Sequence, residues 1–179
     1  MAKATKKPRK LTAHVTYLEM KERHAVHAPM PSRPQLALMR AENMPVAYYR
    51  YLFEQVGRNH HWFLRRAMND EELAGIIHSE NTQIDVLYAG GCPAGYFELD
   101  LSALPERVEI AYFGLARDYV GMGLGKWFLA EAIETAWEKG PSRVTVHTNT
   151  LDHPAALQLY QRLGFEPVGV GEETVEAWD

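Results

Sequence analysis

Three glycines separated by single residues, Gly121, Gly123 and Gly125, lie between two very different stretches of chain. Before them, Val108 to Leu115 is apolar and reads as a strand. After them, an amphipathic run ending near Trp137 reads as a helix. Glycine lets the backbone adopt positive φ and lets a ligand approach closely. A helix that starts there directs unpaired N–H groups and the positive end of its dipole at whatever occupies the turn. A strand, a glycine-rich turn and a helix in that order make a seat for a phosphate or pyrophosphate.

Two common phosphate loops do not fit. A G-x-x-x-x-G-K-[ST] loop needs a hydroxyl after its lysine to hold Mg²⁺, and Trp127 follows Lys126 here. A dinucleotide fold places the loop early in the chain and ends its next strand in a carboxylate. Here the next apparent strand, Arg143 to Asn149, ends in His147, Thr148 and Asn149, and several strands precede the loop.

The chain of 179 residues suffices for one domain with a full core. Its longest apolar runs are too short to span a bilayer. The first ten residues lack the apolar stretch of a secretory signal. The single cysteine, Cys92, cannot form an internal disulfide. Together these point to a cytoplasmic protein without membrane attachment. Five of the 19 Lys and Arg lie in the first ten residues, which hold none of the 23 Asp and Glu. Residues 1–12 are therefore expected as a basic, disordered tail ahead of one domain, 13–179. The remainder is acidic, which argues against nucleic-acid binding and suits a cationic acceptor. The eight histidines show no metal-ligand spacing, so no metal is expected.

Local signals divide the domain. His14 to Met20 reads as a strand, and Pro29, Pro31 and Pro34 mark an extended loop. Pro45 to Val56 reads as a helix stopped by Gly57. Asn69-Asp-Glu-Glu72 opens another helix through a capping box, ending near His78. Ile84 to Ala89 and Ala94 to Leu101 flank Gly90-Gly91 as a hairpin. Pro154 to Leu163 reads as a helix and Phe165 to Val170 as a last strand. The expectation is a single α/β domain with a mixed, mostly antiparallel twisted sheet and flanking helices. The aromatic stretches Tyr48 to Tyr51 and His60 to Phe63 read first as core packing, with a cation-binding wall as the alternative. Trp127 falls towards the polar side of its helix and is expected either to touch a partner subunit or the N-terminal segment or to be merely partly exposed.

The glycine loop, together with His153-Pro-Ala-Ala156-Leu-Gln-Leu159-Tyr160-Gln-Arg-Leu-Gly164-Phe165 downstream, resembles the GNAT acetyltransferase superfamily. The resemblance covers most of the chain. It departs from the family pattern at Val120, usually Arg or Gln, and at His153, usually Asn. It implies that acetyl-CoA is the cosubstrate and that an amine is the acceptor. It implies further that the backbone of Phe113, Gly114 and Leu115 pairs with the pantetheine arm. The coenzyme's phosphates would lie against Val120, Gly121, Met122, Gly123, Leu124 and Gly125, with Arg117, Lys126, His153 and Ala156 nearby. Tyr160 would be the acid that protonates the departing thiolate. Glu109, in a strand similar to that of the histone-acetyltransferase members, would be the general base, with Glu98 its rival. A CoA-binding sensor without catalysis is the alternative function, and a homodimer is the default assembly.

Overall fold

The computed structural model describes residues 9–178. Seven strands form one sheet: β1 Lys10–Met20, β2 Leu36–Arg40, β3 Thr82–Ala89, β4 Cys92–Asp100, β5 Val108–Leu115, β6 Val144–Asn149 and β7 Glu166–Glu176. Their order across the sheet is β2-β3-β4-β5-β6-β1-β7. Only β5 and β6 run parallel, so the expected mixed, mostly antiparallel sheet is the one formed. The helices are α1 Val46–Gly57, α2 Leu64–Ala67, α3 Asp70–Ile77, α4 Gly125–Trp137 and α5 Ala156–Arg162.

Residues 1–8 of the expected tail lie outside the described residues. The first strand begins at Lys10, not His14, because Lys10, Leu11 and Thr12 pair with Glu176, Val175 and Thr174. β7 likewise runs six residues beyond the expected Val170, since β1 supplies a partner along its whole length. β2 was not expected. Its alternation is short, and it is defined by pairing with β3, Leu36 opposite Ala89 through Arg40 opposite Asp85.

The inner strands are buried on both faces. On one face Leu87, Phe97 and Leu99 pack with Phe128, Leu129 and Ile133 of α4 and with Tyr160 of α5. On the other, Ile84, Val86 and Tyr96 pack with Tyr49, Leu52 and Phe53 of α1 and Leu73 of α3. Gly90 and Gly91 close the β3–β4 hairpin with φ of 58° and 83°, the positive angles that a tight turn of this kind requires. Pro93 lies within β4, where the β3–β4 register shifts.

Trp127 is a correction. It is only 6% exposed. In the segment after β1, Val26 and Ala28 pack against the core cluster that contains Trp127, and Arg23 Nε donates to Glu134 of α4 at 3.1 Å. The helix is therefore covered on two sides, and its apparent polar face is partly a buried one.

A second register shift positions the site. Glu98 pairs with Tyr112, but Leu99 pairs with Ile110, leaving Ala111 as an extra residue in β5. Such a bulge bends its strand and reverses the alternation beyond it. Ile110 and Phe113 accordingly face α4, while Tyr112 faces α1.

Glycines on this framework give a test of two signs. A Cβ at Gly95 would lie 2.5 Å from the Gly114 carbonyl oxygen, which is backbone and cannot move aside. Gly95→Ala should destabilise by about 1–3 kcal/mol in urea unfolding. At Gly75, exposed inside α3, nothing lies within 4 Å, and Gly75→Ala should stabilise by about 0.5–1 kcal/mol.

Candidate active site

β5 and β6 stay paired for three residues only, Val108 with Val144, Glu109 with Thr145 and Ile110 with Val146. After the bulge the two strands separate. β5 continues to Leu115 and β6 to Asn149, and between them opens a cleft of about 530 Å³. Ala111 to Leu115 form one wall; Val146, His147 and Asn149 form the other. On its β6 side the backbone of β5 beyond Ile110 has no strand partner. Gly114 also lies tight against α1, since a Cβ there would come 2.5 Å from Val56 Cγ1.

The glycine loop closes one end. Gly121 and Gly123 have φ of 84° and 76°, and neither has a neighbour within 4 Å of an added Cβ. Backbone conformation, not crowding, demands glycine at these two positions. Gly125 begins α4, whose N-cap Leu124 makes no side-chain capping bond. α3 differs: Asn69 accepts from the Glu72 amide at 2.9 Å, and Glu72 accepts from the Asn69 amide at 2.9 Å. One helix satisfies its first amides from its own sequence; the other presents them to the cleft.

Of the residues expected at the coenzyme, Phe113, Gly114, Leu115, Val120, Gly121, Gly123, Leu124, Gly125, His153 and Ala156 line this cleft. Arg117, Met122 and Lys126 are exposed outside its lining. His153 has a local task, because its Nδ1 accepts from the Ala155 amide at 3.1 Å just ahead of α5.

Tyr160 on α5 lines the cleft while only 6% exposed, wedged edge-on between Phe113 and Phe165. Burial, with the charge of Asp152 adding to it, pushes its phenol up from the ordinary value. Glu109 also lines the cleft, and His147 Nδ1 donates to its Oε1 at 3.1 Å. That hydrogen bond raises the His147 pKa, burial opposes the rise, and the Glu109 charge supports it.

Glu98 lies apart. It is 1% exposed and lies outside the cleft lining, on the α1 face of the sheet. The Tyr49 hydroxyl donates to one of its oxygens at 2.5 Å and Arg65 Nη2 to the other at 2.6 Å. The Arg65 guanidinium also lies 5.4 Å from the centre of the Tyr112 ring. Removing one partner of a buried, hydrogen-bonded ion pair of this kind typically costs about 3–5 kcal/mol. The strand alternation that made Glu98 a rival to Glu109 could not reveal that α1 and α2 enclose it.

The aromatic stretch divides between two roles. Tyr49 is buried in the core, as expected, but Tyr51 of the same run is 47% exposed, while Trp62 and Phe63 stand in the cleft wall. The Trp62 indole donates to Asp152 Oδ1 at 3.2 Å. Asp152 Oδ2 also accepts from the Thr148 hydroxyl at 2.8 Å and the Asn149 amide at 3.0 Å. The sequence reading missed Asp152, Glu173 and the role of His147. Thr148 to Asp152, a polar run at the end of a strand, carried a signal of an Asx-type turn. Glu173 carried none. Among the described residues, no group of three or more His, Cys, Asp or Glu could hold a metal ion, and no helix is long and apolar enough to cross a membrane.

The acetyltransferase (GNAT) family matches residues 35–165, which include the glycine loop and most of the cleft lining. A protein named catalase-peroxidase from Chromohalobacter salexigens is 34% identical over 82 residues, 45% of this chain and 11% of that protein. Mycothiol acetyltransferase from Corynebacterium aurimucosum is 38% identical over 61 residues, 34% of this chain and 20% of that one. The matches thus span a small fraction of these curated relatives. An aminoglycoside acetyltransferase from an uncultured soil metagenomic sample, solved with sisomicin, superposes with a TM-score of 0.59 at 16% identity. That superposition covers 72% of this chain and 86% of the other, and shows a shared fold.

The His147–Glu109 pair gives a pH test. The folded His147 pKa lies above its unfolded value of about 6.5. The pair's contribution to stability is therefore complete below that pH and disappears as pH rises through the folded value. In an NMR titration His147 should titrate above the ordinary value, and Glu109→Gln should return it towards that value.

Proposed function

The chain belongs to the acetyltransferase (GNAT) family, and on that premise we propose that it transfers an acetyl group from acetyl-CoA to a primary amine, directly, with both substrates in the cleft. The observation that carries this reading is the separation of β5 from β6. It leaves a free strand edge beside an uncapped helix start, with a buried tyrosine at the same cleft.

The residues fit that cosubstrate. A free strand edge binds an extended amide-bearing ligand by main-chain hydrogen bonds and needs no particular side chain. Phe113, Gly114 and Leu115 would hold the pantetheine arm this way. The amides of Gly121 to Gly125 and the α4 dipole would hold the phosphates. Backbone does this work, which accounts for a binding loop with Val120 where Arg or Gln is usual. Acetyl-CoA supplies the activated acetyl group.

Glu109 takes up the proton released by the amine, through a water molecule, with His147 holding its carboxylate in place. Tyr160 gives a proton to the departing thiolate. Its raised pKa keeps the phenol protonated until that moment, as a positioned acid requires. A main-chain amide of β5 polarises the thioester carbonyl. Glu109, Asp152 and Glu173 line the cleft together with Trp62 and Tyr112. Carboxylates beside aromatic faces suit a cationic amine. The solved aminoglycoside acetyltransferase carries an amine-bearing ligand of this kind.

Thiol release from acetyl-CoA in the presence of spermidine, tyramine and a peptide with a free N-terminus tests the reading. At least one amine should be acetylated. Tyr160→Phe should lower kcat about 10–100-fold with acetyl-CoA affinity nearly unchanged. An unchanged kcat at saturating substrates removes Tyr160 from the acid's role.

A further inference from the structure

The segment from Arg58 to Phe63 supplies the cleft's aromatic wall, yet it holds itself together poorly. It comprises a short 3₁₀ turn, Arg58–His60, and an irregular link to α2. His61 has φ of 56°, the left-handed region that a residue with a Cβ adopts only when its surroundings enforce it. Its backbone bonds include His61 N–H to the Arg58 carbonyl at 3.3 Å and Trp62 N–H to the carbonyl of Gly57, just before the segment, at 3.1 Å.

His60 Nδ1 lies 3.2 Å from the Leu151 carbonyl oxygen, and further restraint on this shape comes from the far end of the chain. Trp178, just beyond β7, donates its backbone N–H to His61 Nδ1 at 3.1 Å and its indole N–H to the Trp62 carbonyl at 2.7 Å. Its ring is stacked under Arg66, whose guanidinium lies 4.5 Å from the ring centre, and Arg58 approaches to 5.5 Å. Ala177 is 2% exposed and its carbonyl accepts from Arg66 Nη2 at 3.4 Å. Trp178 thus grips the residues on both sides of Trp62 and the Trp62 backbone itself. The Trp62 side chain then points into the cleft, bonds Asp152, and packs 5.0 Å from Tyr112 between ring centres. Gly57 makes room, since a Cβ there would lie 2.6 Å from the indole.

We propose that Trp178 is a positioning residue that holds Trp62 in the acceptor side of the cleft. It touches no reacting group. It fixes the wall against which the amine rests, while the coenzyme side, built from β5 and the glycine loop, stands without it. The inference rests on the reading of the cleft as an acetyltransferase site.

Two variants separate its parts. Trp178→Ala removes the stack and the indole bond; Trp178→Phe keeps an aromatic face for Arg66 and removes only the bond. Amide hydrogen exchange over residues 58–66 is the direct readout and needs no substrate. Exchange there should rise about tenfold or more in Trp178→Ala and less in Trp178→Phe, with β3, β4 and α4 unchanged. With the amine of the panel that the wild type acetylates fastest, KM for the amine should rise about five- to tenfold, the scale of one hydrogen bond and a stack. KM for acetyl-CoA should not move. Wild-type exchange at 58–66 in a folded Trp178→Ala overturns the proposal. So does an equal rise in both KM values. Failure of the underlying reading is recognisable separately, because the wild type itself would then acetylate no amine.

Discussion

A parallel strand pair persists only while both strands stay in register, and β5 and β6 do so for three residue pairs. The bulge at Ala111 ends that register. Everything distinctive about the molecule follows from this interruption. The sheet is continuous below it and divided above it. The backbone groups freed by the division face the cleft, where water or a ligand can satisfy them. A ligand with amide groups along an extended arm is a natural partner. On the proposed reading, the fold converts a local defect in pairing into a binding edge.

The flanking elements keep that edge open. Phe113 is held 5.0 Å from Phe128 of α4 between ring centres, and Gly114 is pressed against Val56 of α1. β5 cannot drift back to β6 without breaking both contacts. α4 stays fixed because it is covered by the sheet on one side and by the loop after β1 on the other, so its uncapped start points at the same place in the cleft. α5 brings Tyr160 to the same cleft. On the opposite face the buried Glu98–Arg65–Tyr49 group ties β4 to α1 and α2, and so anchors the chain that continues from Trp62.

Sequence patterns revealed the parts of this arrangement that depend on local chemistry. The boundaries of β5 were legible because Val108 to Leu115 is apolar and ends before a turn. α3 was legible because Asn69 and Glu72 form a capping box. The loop with Gly121 and Gly123 was legible because positive φ there excludes most other residues. What remained hidden depends on distant partners. β2 exists through β3, and Lys10 to Thr12 become strand through β7. Trp127 is buried in a core cluster against which Val26 and Ala28, a hundred residues earlier in the chain, also pack. Glu98 and Glu109 alternate alike along neighbouring strands, and only the packing of α1 and α2 separates an enclosed structural carboxylate from one on the cleft. Trp178 gave no sign of contact with His61, 117 residues away.

We propose that main chain, rather than charged side chains, binds the coenzyme in the opening between β5 and β6. Amide NMR during titration with acetyl-CoA tests it most directly. Shifts that saturate together at one equivalent, and are concentrated at Phe113, Gly114, Leu115, Gly121, Gly123 and Gly125, are the predicted result. Saturable binding that leaves those amides unmoved, or no binding at all, would contradict the account.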